Sequence, residues 1–398
     1  MKTASPYLLP GADPDALIRE ARRRQRRRYL TAGLVIVLVL AAATGLSVGL
    51  RGHTGRVSHS PQRPRRAPAS GHLTTAVALS GQPRFFADVI ETDEGNGTLE
   101  IRASATGKLV ADDGQAFSHN VNGLTATGPG NFLLAQQVGD QCASQLYQVR
   151  LNGQGDPGAP TPVGPELHGE VASLAASGGL IGYAVTGCSK GEPGYIGVMD
   201  TRTGFSRRWS DVDVLGISPG NVAVTGSLSM SANGRWLAFA GWDTTASGHV
   251  TRQVVRVLPV TAAAGTVAGR SRVVLSRPVT APALDAVSLS PDGTSVYTCN
   301  TAGSEISVAR YQTATGALLA NLARLGGAVK FPPAGCQMTL DTTGQYLLLA
   351  YLLNPARGSA WTAVRVASIS VATGRTTPLT INLGQSGMDP VSGMNLAW

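Results

Sequence analysis

An all-β ring built from one repeated four-stranded module is predicted by three observations. The first is a glycine followed within a few residues by an apolar strand. It recurs as Gly81 before RFFADV, Gly130 before FLLAQ, Gly179 before IGYAV, Gly234 before WLAFA, Gly293 before SVYTC and Gly344 before YLLLA. The intervals are 49, 49, 55, 59 and 51 residues, the length of four strands with their connections. The second is a Thr-Gly turn in four of these modules, with glycines at 107, 204, 316 and 374, each 23 to 30 residues after a landmark glycine, where a third strand should turn into a fourth. The third is composition. The chain has 398 residues, 43% of them hydrophobic and 14% charged, with 49 glycines, which suits strands and tight turns around a sizeable core. The expectation is a six-bladed β-propeller over residues 72–398, with seven blades as the alternative.

Before the ring come three short regions. Residues 1–28 form a basic tail with Pro6, Pro10 and Pro14, too short to be a domain. Arg19, Arg22 to Arg24 and Arg26 to Arg28 lead into residues 29–50, a stretch of 22 residues without a charge, long enough for a helix to cross a bilayer. Seven arginines precede this stretch and five follow it, at Arg51, Arg56, Arg63, Arg65 and Arg66, which favours an inside N-terminus and an outside ring. A cleaved signal peptide is the rival, with Ala41 to Ala43 near a cleavage point, but the apolar run continues seven residues further and an anchor is preferred. Arg26 to Leu30 also resembles a twin-arginine export signal. Residues 51–71, interrupted by Pro61, Pro64 and Pro68, read as an extended tether. The partner expected here is the lipid bilayer, reached through residues 29–50.

Charge argues against nucleic acid. The net charge is +9, but residues 1–70 hold 13 of the 33 Lys and Arg and only three acids, so they carry +10 and leave the ring at −1. A near-neutral ring offers no broad surface for phosphates.

Within the ring, Val287 to Gly316 is the most complete module. Its Ser290-Pro291-Asp292-Gly293 tetrad is a tight strand-to-strand turn. The pentad Leu289 to Gly293, its weaker counterparts Met230 to Gly234 and Leu340 to Gly344, and the Thr-Gly turns resemble those of TolB-type and WD-repeat-like β-propellers. With the basic tail and single apolar segment, the whole chain resembles actinobacterial membrane-anchored proteins of that kind. The resemblance implies a propeller from about Leu73 onward. The Trp-Asp and Gly-His signatures do not recur from module to module as they do in WD repeats proper, so no partner rules carry over. The last residues, MNLAW, look like an innermost strand without the rest of a blade, which would be stable only by pairing back to the first module.

Catalytic motifs are sparse. Gly216 to Gly220 spells the nucleophile-elbow pattern, but Pro219 lacks the backbone N–H an oxyanion hole needs, so the segment reads as a turn. The histidines, at 53, 59, 72, 119, 168 and 249, contain no pair at metal spacing. Asp211 and Asp213, like Asp93 and Asn96, read as acidic turns, because a calcium loop needs more oxygen ligands at set offsets. No phosphate-cradling Gly-Lys-Ser/Thr run occurs, and no Gly-x-Gly-x-x-Gly opens a helix as a dinucleotide-binding fingerprint requires. No catalytic, metal or cofactor-binding residue is therefore assigned, and no cofactor is expected.

Cys142, Cys188, Cys299 and Cys336 form an even set in a region expected outside the cytoplasm, where disulfides persist. The blade register places Cys142 and Cys188 after the second strands of adjacent blades. Cys299 is placed after the second strand of blade five and Cys336 at the start of blade six. Pairs 142–188 and 299–336 then join neighbours, whereas either other pairing would cross the ring. The function expected is a non-catalytic, membrane-anchored, extracytoplasmic module that binds a protein or small ligand at a propeller face. The alternatives are a propeller enzyme of the lactonase, lyase or quinone-dependent dehydrogenase type, and an envelope sensor.

Overall fold

The computed structural model describes residues 82–91, 97–113, 117, 121–139, 142–189, 192–213, 222–245, 249–302, 305–326, 336–353, 363–379 and 395–398. All belong to the second of two units, Thr74–Trp398. The tail, the apolar segment 29–50 and the tether lie outside the described residues, as do Asp93, Asn96, the segment 216–220 and the histidines at 53, 59, 72 and 119. Among the described residues no helix is long and apolar enough to cross a membrane.

Six blades of four antiparallel strands make the ring. Blade 1 holds β1 (Phe85–Glu91), β2 (Gly97–Ala103) and β3 (Leu109–Asp112); blade 2 holds β4 (Val121–Gly128), β5 (Asn131–Gln137), β6 (Ala143–Arg150) and β7 (Thr161–His168). Blade 3 is β8 (Glu170–Ser177), β9 (Leu180–Thr186), β10 (Gly194–Asp200) and β11 (Ser206–Asp213). Blade 4 is β12 (Val222–Met230), β13 (Trp236–Thr244), β14 (Val250–Pro259) and β16 (Arg272–Pro278). Between its last two strands lie β15 (Gly265–Thr266) and a one-turn helix, α1 (Val267–Arg270), capped by Thr266. Blade 5 is β17 (Ala283–Leu289), β18 (Ser295–Ala302), β19 (Glu305–Gln312) and β20 (Leu318–Gly326). Blade 6 is β21 (Cys336–Leu340), β22 (Tyr346–Leu353), β23 (Ala363–Ser370) and β24 (Thr376–Leu379). The innermost strand of blade 1 is β25 (Asn395–Ala397), which pairs with β1 through Ala87 and Ala397, Asp88 and Leu396, and Val89 and Asn395. Six blades replace the seven-bladed alternative, and the closing strand completes the first blade.

Two details differ from the sequence reading. Asp211 and Asp213 belong to β11, whose end pairs in parallel with the start of β12 and so joins blades 3 and 4 into one hydrogen-bonded path. Cys299 lies inside β18, fully buried, since β18 runs on past it to Ala302.

The first-to-second turns share one chemistry. In blade 5 the Ser290 hydroxyl donates to Asp292 (2.6 Å) and accepts from the Ser295 N–H (2.9 Å), while the Gly293 N–H bonds the Ser290 carbonyl (2.9 Å). Gly293 has φ +75°, the left-handed region that closes such a turn, and a Cβ there would sit 2.7 Å from Trp236 of the preceding blade. Ser231 with Asn233 repeats the device in blade 4, and Asp341 takes the serine's place in blade 6. These side-chain-to-backbone bonds satisfy turn groups that neither strand can reach.

Both faces of each blade are covered by neighbours, so strands such as β13 read as continuous apolar runs. Leu237 and Phe239 face blade 3, while Ala238 and Ala240 face blade 5. The described residues form six apolar clusters, one at each blade-to-blade interface, including one between blades 6 and 1 in which Leu396 and Trp398 meet Phe86, Leu348 and Val366. An open ring would lack that sixth cluster, so closure is carried by packing as well as by pairing.

Candidate functional site

The innermost strands run along the ring axis with one edge free, and their inward N–H groups need partners. Serines on the neighbouring blade supply them. Leu228 donates to the Ser173 hydroxyl (2.7 Å) and Leu289 to that of Ser229 (2.9 Å). These bonds set the radius of the channel, which widens at the end of the first-to-second turns into a cavity of about 220 Å³.

Each blade contributes to that cavity, through Trp398, Thr127, Ser177, Met230, Leu289 and Leu340 in ring order. The turns bounding it interlock. Ser177 donates to the Ala232 carbonyl (2.7 Å), Asn233 to that of Asp292 (3.4 Å), and a Cβ on Gly344 would meet Pro291 at 2.7 Å. Hydroxyls and apolar groups alternate on the wall, and among the described residues Asp341 is its one ionisable lining side chain. That carboxylate accepts from the backbone of Gln345 (2.8 Å) and Tyr346 (2.9 Å) and from the Thr343 hydroxyl, so its turn already engages both oxygens. Such a wall can hold a small polar or mixed ligand by shape and hydrogen bonds. Among the described residues it holds no pair of acid and base groups for proton transfer.

At the opposite end, the second-to-third loops of blades 2 and 3 carry Cys142 and Cys188, while Cys299 lies within β18 and Cys336 begins β21. Cys142 and Cys188 are bridged with Cα atoms 5.4 Å apart, and Cys299 and Cys336 with theirs 6.4 Å apart, the two pairs that the register predicts. Each bridge ties one blade to the next and closes a loop of about 40 residues, worth roughly 2–4 kcal/mol in chain entropy. Beside the first bridge the structure gathers a group the sequence did not reveal. His168 Nε2 lies 3.4 Å from Cys188 Sγ and 3.8 Å from Glu192 Oε1. His168 ends the outer strand of blade 2 and the other two belong to a loop of blade 3, so no local spacing announces them. His249, the other described histidine, hydrogen bonds through its backbone to Thr245.

No family model matches the chain, and no curated protein matches it in sequence. Among solved structures it is similar to TolB from Acinetobacter baumannii, with a TM-score of 0.48 and 12% identity, over 79% of this chain and 66% of that one, just under two thirds of its length. It is also similar to a functionally unknown protein from Desulfotomaculum acetoxidans, with a TM-score of 0.44 and 13% identity over 78% and 98% of the two chains. A third similar structure is the β-propeller domain of Cps50 (Swd1) from Myceliophteria thermophila, with a TM-score of 0.38 and 12% identity over 76% and 98%.

Proposed function

We propose that this chain is an extracytoplasmic binding module, held to a membrane by residues 29–50, whose ring takes a ligand or partner protein at an end face without catalysing a reaction. The observation that carries the binding reading is the axial cavity, built from all six blades and furnished with hydroxyls, apolar groups and one carboxylate already engaged by its own turn. Acyl or glycosyl transfer and metal-assisted hydrolysis need acids, bases or ligand clusters aimed at one point, whereas the described residues of the cavity wall supply a single carboxylate, held by its own turn. The anchoring reading is supported by the uncharged 22-residue run and by the arginine excess before it. The outside placement is supported by the two bridges, which are stable in an oxidising compartment.

The test is a thermal-shift screen of the full-length protein in nanodiscs against small glycans, peptides and polar metabolites. Stabilising compounds are then re-measured on Thr339→Trp, which fills the cavity wall. Stabilisation lost in that variant supports the reading. Turnover of a lactone or ester that disappears in Asp341→Asn would contradict it.

A further inference from the structure

Four side chains able to bind a borderline-soft metal ion meet at the seam of blades 2 and 3, on the ring end away from the axial cavity. In the bridged state two of them, Cys142 and Cys188, are bonded to each other. The other two already stand at ligand spacing. The donor atoms of His168, Cys188 and Glu192 all lie within 4.8 Å of one another. Zinc bonds of about 2.3 Å to sulfur and about 2.0–2.2 Å to nitrogen and oxygen place tetrahedral ligand atoms about 3.4–3.8 Å apart. The observed separations are 3.4 Å from Cys188 Sγ to His168 Nε2 and 3.8 Å from His168 Nε2 to Glu192 Oε1. Two sulfurs freed from their bond and resting in van der Waals contact would span a third edge of such a tetrahedron, with Cys142 at its fourth corner.

Hydrogen bonds support Glu192 and the backbone around His168 and Cys142. Glu192 Oε2 accepts from the backbone of Cys188 (3.0 Å) and Ser189 (3.2 Å) and from the Ser189 hydroxyl (3.2 Å), which turns Oε1 toward His168. The Tyr195 hydroxyl of β10 donates to the His168 carbonyl (3.3 Å), which ties the end of β7 to blade 3, and Gly169 N–H bonds the Cys142 carbonyl (3.0 Å) within blade 2. The contacts on Glu192 Oε2 are of the kind that fix ligand orientation in metal sites, while the His168 ring is largely exposed.

We propose that reduction of the Cys142–Cys188 bridge converts this cluster into a zinc site with two thiolates, the His168 imidazole and the Glu192 carboxylate as ligands. A dithiol reductant of the thioredoxin class supplies the two electrons. Its own thiols close to a disulfide while Cys142 and Cys188 become thiols, and the metal then displaces their two protons. The seam between the blades is covalently tied in one state and tied through the metal in the other. This inference goes beyond the binding role and does not depend on it.

Cobalt(II) is the probe for the test, because tetrahedral thiolate coordination gives it visible absorption. Full-length protein in detergent is titrated with Co²⁺ as isolated and after treatment with a phosphine reductant, with far-ultraviolet dichroism recorded throughout. The expected result is one equivalent of tetrahedral Co²⁺ in the reduced protein and none in the oxidised. Affinity should fall about 10-fold or more in His168→Ala and in Glu192→Gln. Alkylation mapped by mass spectrometry on the wild type should show Zn²⁺ protecting Cys142 and Cys188. Four results would overturn the site: no tetrahedral absorption in a reduced chain that keeps its β signal, absorption undiminished in His168→Ala, protection confined to Cys299 and Cys336, or loss of the β signal on reduction, since the fold is what gathers the ligands.

Discussion

Asp88 sits in the middle of β1, 3% exposed, against the interface that closes the ring. Its Oδ2 accepts from Arg102 Nε at 3.2 Å, Glu100 on the neighbouring strand competes for the same guanidinium, and Oδ1 has no hydrogen-bond partner among the described residues. Burial pushes the Asp88 carboxyl up to about 7, outweighing the attraction of Arg102. The sign of the effect on stability follows from which state holds the proton. Between the ordinary carboxylate range and pH 7 the folded protein keeps a proton that the unfolded chain has lost, so stability declines as pH rises from about 4 to about 7 and levels off above. Asp88→Asn, which stays neutral, should flatten that decline; chemical denaturation of both proteins at pH 5 and pH 8 measures it. Equal pH dependence in the two would mean that Asp88 titrates in its ordinary range.

Elements were legible in the sequence where one residue type is required by backbone geometry. Gly130, Gly179, Gly234, Gly293 and Gly344 all take positive φ at first-to-second turns, and Gly107, Gly204, Gly316 and Gly374 at third-to-fourth turns, so glycine marks both. The second mark fails in blades 2 and 4, where an Asn152-centred turn and the α1 connection do the same work with other residues. The closing strand was legible because NLAW carries apolar side chains with no blade of its own. The His168, Cys188 and Glu192 group was not, since only blade-to-blade packing brings the end of β7 to a loop of blade 3. Nor were the inner-strand serines, whose partners sit 55 and 60 residues away. Closure has a measurable consequence. Trp398 is buried, donates from Nε1 to the Ser104 hydroxyl (3.0 Å), and packs with Leu396 between blades 6 and 1. Trp398→Ala should cost about 3–5 kcal/mol, a large share of a domain's usual stability of about 5–15 kcal/mol. Removal of the last six residues should cost more, by baring the edge of β1. A melting temperature unchanged by that truncation would contradict closure through β25.

Over the whole molecule, charge and covalent ties are divided between regions. The positive charge is concentrated before residue 71, while the ring is near neutral and carries both disulfides at blade seams on one end, with the axial cavity at the other. That division suits a neutral receptor on a basic tether, whose arginines would be drawn to anionic lipid at about 1 kcal/mol each near the surface. The proposed role depends on the ring lying outside the cytoplasm, and external proteolysis of intact cells carrying the full chain tests this most directly. Trypsin can reach the tether at Arg51 and Arg56 only if the tether is outside. The predicted result is release, without lysis, of a soluble fragment beginning after one of the tether arginines, Arg51 to Arg66, in which Cys142 is bridged to Cys188 and Cys299 to Cys336. A chain that stays full-length until the membrane is opened, with all four cysteines as free thiols, would contradict it.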